Sequence, residues 1–127
     1  MESATYFEAI DWYKNLDKKY TEVFVQEMGM TDAGYPLHVV LISADGKFDA
    51  VKWHKQNKVV ILINNGIHPG EPDGIDASML LARDIATKKI TLQKNVALAF
   101  IPVYNIGGCL NRGSTSLANQ NGPLEYG

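Results

Sequence analysis

The chain carries a single cysteine, Cys109, which excludes an internal disulfide and leaves the redox compartment open. It has three histidines, His38, His54 and His68, and none after position 68. Charge is equally sparse in character: 12 Lys and Arg against 14 Asp and Glu leave a net charge of -2. That balance offers no basic field for nucleic acid, and no Lys/Arg cluster stands out for a membrane surface. No apolar run approaches the roughly 18 residues that a bilayer-spanning helix needs. The opening "MESATYFEAIDWYKNLDKKY" has acids and aromatics where a signal peptide has a basic start and an apolar middle. What remains is ordinary globular composition, 46% hydrophobic and 20% charged, over 127 residues. That length sustains one domain at most.

Along the chain, Tyr6, Ile10, Tyr13, Leu16 and Tyr20 recur at helical spacing and predict an amphipathic helix over 5–20. "EVFVQEMGM" (22–30) and "PLHVVLIS" (36–43) read as strands joined by the turn-forming "TDAGY". Residues 44–58 are polar, with Asp45-Gly46 marking a turn, and read as a surface loop. "VVILIN" (59–64) is the continuous apolar run of a strand buried on both faces. A helix follows Pro72, with Asp73 as its cap and Ile75, Met79, Ala82 and Ala86 on one face. "VALAFIPVYN" (96–105) is the next buried strand. Strand, helix, strand is a crossover unit, so 59–64 and 96–105 are expected parallel in one sheet. The last 22 residues, from Ile106, are rich in Gly, Asn and Ser and show no period. The fold class is α/β, with a mixed sheet that begins as an antiparallel hairpin.

In such sheets ligands bind beyond the carboxyl ends of the strands. His68 and Asn105 both fall there. His68 and Glu71 are separated by Pro69 and Gly70, which favour a sharp turn. An imidazole and a carboxylate brought together by a turn are two of the three protein ligands that a catalytic zinc takes. A bare H-x-x-E is a short pattern, and the plain alternative is a pair that hydrogen-bonds its own turn and caps the helix. The other histidines are poorer candidates, His38 inside a strand and His54 in the polar loop. Asn64 and Asn65 at the strand end are candidates for holding the metal loop through hydrogen bonds. Asp73 reads as a helix cap, and Cys109, with no histidine beside it, as a small packing residue.

The stretch "NGIHPGEPDG" resembles the zinc-binding segment of the M14 metallocarboxypeptidase family. "MGMTDAGYPLHVVLIS" before it and "AFIPVYNIGG" after it resemble the family's opening hairpin and its asparagine-glycine loop, in order, across residues 6 to 127. The resemblance implies a three-layer α/β/α fold with an eight-stranded sheet in the order 1-2-4-3-8-5-6-7, of which this chain would supply 1-2-4-3. It implies a zinc-dependent carboxypeptidase acting on peptides, with His68 and Glu71 as metal ligands. The family's second zinc histidine, general-base glutamate and substrate-holding arginines have no counterpart here. Asn111-Arg112 has the letters of the carboxylate-binding pair but comes too soon after "YNIGG", which leaves Arg112 as a weak candidate for substrate contact. Glu125 is too close to the end to be argued as a base.

Residues 1–127 are therefore expected to be the N-terminal portion of a domain more than twice as long. Such a portion would lack peptidase activity, hold Zn²⁺ weakly or not at all, and pair with a second copy along the bare strand 59–64. Two rival readings stand beside this one. The first is a zinc-dependent deacylase of the same superfamily, and the second a non-catalytic binding module. Export to the periplasm or beyond is a habit of bacterial relatives, and no residue here reports on it.

Overall fold

The structure is a computed structural model that describes residues 3–111. Helix α1 (Tyr6–Lys19) starts where Thr5 and Glu8 satisfy each other's backbone: Thr5 Oγ1 accepts from the Glu8 amide, and Glu8 Oε2 from the Thr5 amide. This reciprocal cap removes two orphan donors from the first turn. Tyr6, Ile10, Tyr13 and Leu16 are buried as their spacing predicts, and Tyr20 takes the C-cap.

Strands β1 (Val23–Met30) and β2 (Pro36–Ser43) pair antiparallel from Val23↔Ile42 to Met30↔Pro36, with a bulge between Glu27 and Gly29. Beyond them come β3 (Val59–Asn64), α3 (Asp73–Ala86) and β4 (Val96–Ile101). β4 pairs antiparallel with β2 and parallel with β3, so the sheet order is β1-β2-β4-β3. The strand order and the crossover are those expected from the sequence.

The helices fall on two sides of this sheet. Tyr13 and Leu16 of α1 and Ala82, Ile85 and Ala86 of α3 pack on Val23, Val40, Ile42, Leu98 and Phe100. On the opposite face Phe48 stacks on Phe24 and meets Trp53 edge-on, 6.3 Å between ring centres. A second apolar cluster joins Tyr6 and Ile10 of α1 to Ile75 of α3, and to Val103 and Ile106 past the end of β4. It sits under the loops at the carboxyl ends of the parallel strands.

Four expectations need correction. Residues 44–58 are not all loop: α2 (Ala50–Lys55) forms there, capped by Asp49, whose Oδ1 accepts from the Lys52 amide at 3.0 Å, and His54 lies on it. α3 is not capped by Asp73. Pro72 holds the N-cap position without a side-chain bond, and Asp73 is the first helical residue. There its charge still favours the positive helix end. The strand expected over 96–105 stops at Ile101, before Pro102, which has no N–H to donate. A further helix, α4 (Ile106–Leu110), follows it, with Asn105 Oδ1 accepting from the Gly108 amide at 2.9 Å.

For β3 the sequence carries two expectations, burial from its apolar run and a bare edge from the four-strand order, and the fold follows the second. Val59, Val60, Ile61 and Leu62 are 46 to 62% exposed. β3 is the outer strand, and no element among the described residues lies beyond it.

Candidate metal centre

The backbone from Asn65 to Glu71 is fixed on three sides. The Asn65 amide donates to the Ile101 carbonyl at 3.0 Å, continuing the parallel ladder one step past β3. The Asn65 and Gly66 carbonyls then accept from the Tyr104 and Asn105 amides, at 2.8 and 2.9 Å. These bonds tie the segment after β3 to the segment after β4. Gly66 has φ +64°, and a Cβ there would press on Ile75 Cδ1 and Val103 at 3.3 Å. Only glycine combines that conformation with so close an approach.

Asn65 is buried and its side chain reaches α3, donating to Ser78 Oγ at 3.0 Å. It thus braces the loop against the helix. Asn64 is exposed and its side chain forms no hydrogen bond among the described residues. The Asn105 side chain is a support that the sequence does not mark as one. It donates to the Ile67 carbonyl at 3.3 Å while its oxygen caps α4. Its place at a strand end is the sole signal, and its partner lies 38 residues away.

With the loop so held, Pro69 and Gly70 turn the chain, and the Glu71 amide donates to the His68 carbonyl at 2.9 Å. Pro69 is buried and anchors the turn, whereas the two flanking side chains point out, 69% and 52% exposed for His68 and Glu71. His68 Nδ1 and Glu71 Oε2 are 3.8 Å apart. Two donors each about 2.0–2.2 Å from one zinc ion can span about 4 Å between them. The spacing therefore suits a shared cation. One imidazole nitrogen and one carboxylate oxygen, both open to solvent, make a donor set that zinc accepts. Among the described residues no group of three His, Cys, Asp or Glu converges on one point. His38 is buried under α1 and His54 lies on α2, and neither joins this pair. Arg112 and Glu125 lie outside the described residues.

Beside the turn is a cleft of about 700 Å³, lined by the hairpin residues Thr31, Asp32 and Leu37 and by Ile67, Tyr104 and Asn105. It opens at the carboxyl ends of the parallel strands, where ligands of α/β sheets bind.

Solved structures share this architecture. Carboxypeptidase A from Helicoverpa armigera superposes with a TM-score of 0.69 at 21% identity, covering 92% of this chain and 31% of that one. Bovine thrombin-activatable fibrinolysis inhibitor, in complex with tick carboxypeptidase inhibitor, gives 0.67 at 20% identity, covering 98% of this chain and 41% of the other. The chain thus spans about a third of the length of the structures it matches. No curated protein sequence matches it. The zinc carboxypeptidase family model, Peptidase_M14, matches residues 9–119, which includes the whole sheet and the turn that carries His68 and Glu71. With the order β1-β2-β4-β3 and the superpositions in agreement, the chain belongs to the M14 zinc carboxypeptidase family.

Proposed function

We propose that this chain supplies the first two zinc ligands, His68 and Glu71, of a carboxypeptidase that removes C-terminal residues from peptides. The observation that carries the proposal is the convergence of the two side chains, 3.8 Å apart, on a turn held at the carboxyl ends of the parallel strands. Zinc, when bound, polarises a scissile carbonyl and makes its bound water a nucleophile near neutral pH. The chain's own part is positional. Asn65 locks the loop to α3 through Ser78, Asn105 holds the Ile67 carbonyl, and the Pro69-Gly70 turn presents both donors outward. The adjacent cleft, bordered by Tyr104 and Asp32, is where a peptide would lie.

Peptide hydrolysis also requires a third metal ligand, a general base and a group for the substrate carboxylate. No residue of this chain is assigned to those roles, so residues 1–127 alone are expected to be inactive. A two-ligand site binds zinc with a Kd of about micromolar or poorer, some 8 kcal/mol or less. Calorimetric titration of the chain with zinc tests this. Binding of that strength, abolished by His68→Ala and by Glu71→Ala, is the expected result. Absence of binding in all three proteins would return the pair to a turn-stabilising role. Tight binding that depends on His68 would reveal a third ligand.

A further inference from the structure

His38 is the one histidine placed in the interior, with 3% of its surface exposed. It lies on β2, directly across from Glu27 of β1, on the sheet face that α1 covers. From α1 it meets Tyr6, whose Oη is 3.5 Å from His38 Nδ1, and the charge of Lys14. From β1 it meets Glu27, whose Oε1 is 3.4 Å from His38 Nε2 and 3.5 Å from Lys14 Nζ. Tyr35, in the hairpin turn, contacts Tyr6 with ring centres 5.9 Å apart. These are the titratable and charged groups around the imidazole.

The ring faces acceptors on both sides. Tyr6 donates its hydroxyl proton to the Pro36 carbonyl at 2.8 Å, so toward His38 the phenol oxygen can only accept. The neutral ring has one proton to give, from Nδ1 to that side or from Nε2 to Glu27. Nε2 is buried without a well-aligned hydrogen bond, 3.4 Å from a carboxylate that only accepts. A second proton on the ring would suit both sides. It would also place a full charge in a nearly closed site, beside Lys14, with a half-exposed and already shared carboxylate as the sole counter-ion. Burial first and Lys14 second hold His38 below the ordinary histidine value, against the opposing pull of Glu27 and of the Pro36 carbonyl.

We propose that His38 is an acid-operated joint: a proton taken up there loosens α1 from the β1–β2 hairpin while the sheet stays paired. The sign follows from linkage. When α1 lifts, His38 is hydrated and regains an affinity for protons near pH 6.5, higher than in the closed state. The closed state is thus fully favoured above about pH 6.5 and loses that advantage as pH falls through the closed-state value. Tyr6 also belongs to the cluster with Ile75 and Val103 that presses on Gly66, so the joint lies one layer beneath the metal loop.

Hydrogen exchange at pH 7.5 and 5.5, expressed as protection factors for α1 amides in the wild-type chain and in His38→Gln, tests the joint. In the wild type, α1 protection is expected to fall by up to about tenfold for each pH unit below 6.5. Protection in β4 should hold, and α1 in the variant should not respond. An equal response in both proteins would overturn the proposal. Imidazole NMR of the wild type decides the matter even if the variant does not fold. A titration midpoint below 6.5 is expected, and a midpoint at or above 6.5 would overturn it.

Discussion

β3 and β4 are neighbours of the same length, "VVILIN" and "VALAFI", paired parallel residue for residue from Val59↔Val96 to Asn64↔Ile101. By composition the two are nearly alike, five of six residues apolar in β3 and all six in β4. In the fold their fates are opposite: Ala97, Leu98, Ala99 and Phe100 are at most 7% exposed, whereas four residues of β3 are about half exposed. β4 has a hydrogen-bonded strand on each side, and β3 has one. Apolar character records what a strand is made to be covered by, and sheet position decides whether the cover is there. The superposed structures are two to three times longer than this chain.

The sharpest way to break this comparison is to shorten a side chain in each strand. Phe100→Ala leaves a cavity between α1 and α3 and is expected to cost about 3–5 kcal/mol in urea unfolding. Ile61→Ala removes a side chain already half in water and should cost less than about 1 kcal/mol. Equal losses would show that β3 is covered in solution.

That outcome leads to the next test, because a bare apolar edge is a template for another strand. We expect β3 to pair with β3 of a second copy. A charge on it, Leu62→Lys, should raise the dimer dissociation constant at least tenfold, about 1.4 kcal/mol, in sedimentation equilibrium. A wild-type chain that stays monomeric at high concentration would refute the pairing.

A smaller effect concerns how β3 is joined to the strands beside it. Just before β3, Lys58 Nζ donates to Ser43 Oγ at 2.8 Å, and Ser43 Oγ donates to Asp45 Oδ1 at 2.7 Å. Ser43 ends β2 opposite Ala97 of β4, so this cluster ties the start of β3 across the sheet. The Ser43 hydroxyl, followed by the Lys47 amide and Lys58, holds the Asp45 carboxyl below its usual range. Its folded value lies under its unfolded one, so the stabilisation is present above about pH 3.8 and lost as pH falls through the folded value. Asp45→Asn should cost about 0.5–1 kcal/mol at neutral pH and flatten stability between pH 4 and 3. A wild-type acid limb unchanged by the substitution would show that Asp45 contributes nothing to the joint.

Legibility in the sequence follows the range of the interactions involved. β2 and β3 have the bounds their residues predict, because alternation and apolar runs are local. The H-x-x-E turn is legible for the same reason, since four consecutive residues carry it. Helices α2 and α4 are not, having six and five residues, too few turns to show a period. Their caps, Asp49 and Asn105, are the sole clue. The supports of the loop that carries His68 and Glu71 are partly legible. Asn65 stands out at its strand end, but its partner Ser78 and the Asn105 bond to Ile67 depend on segments brought together by the crossover.

By itself, then, the sequence determined the α/β class, the strand order through its match to a known pattern, and the pair of donor residues on a sharp turn. Each is written in spacings of a few residues, where backbone geometry leaves little choice. Only the tertiary structure decided that His38 has a buried nitrogen without a partner, and that His68 and Glu71 stand 3.8 Å apart. Burial, orphaned polar atoms and convergence are properties of what surrounds a residue in space, and neighbours in space are chosen by the packing of the whole chain.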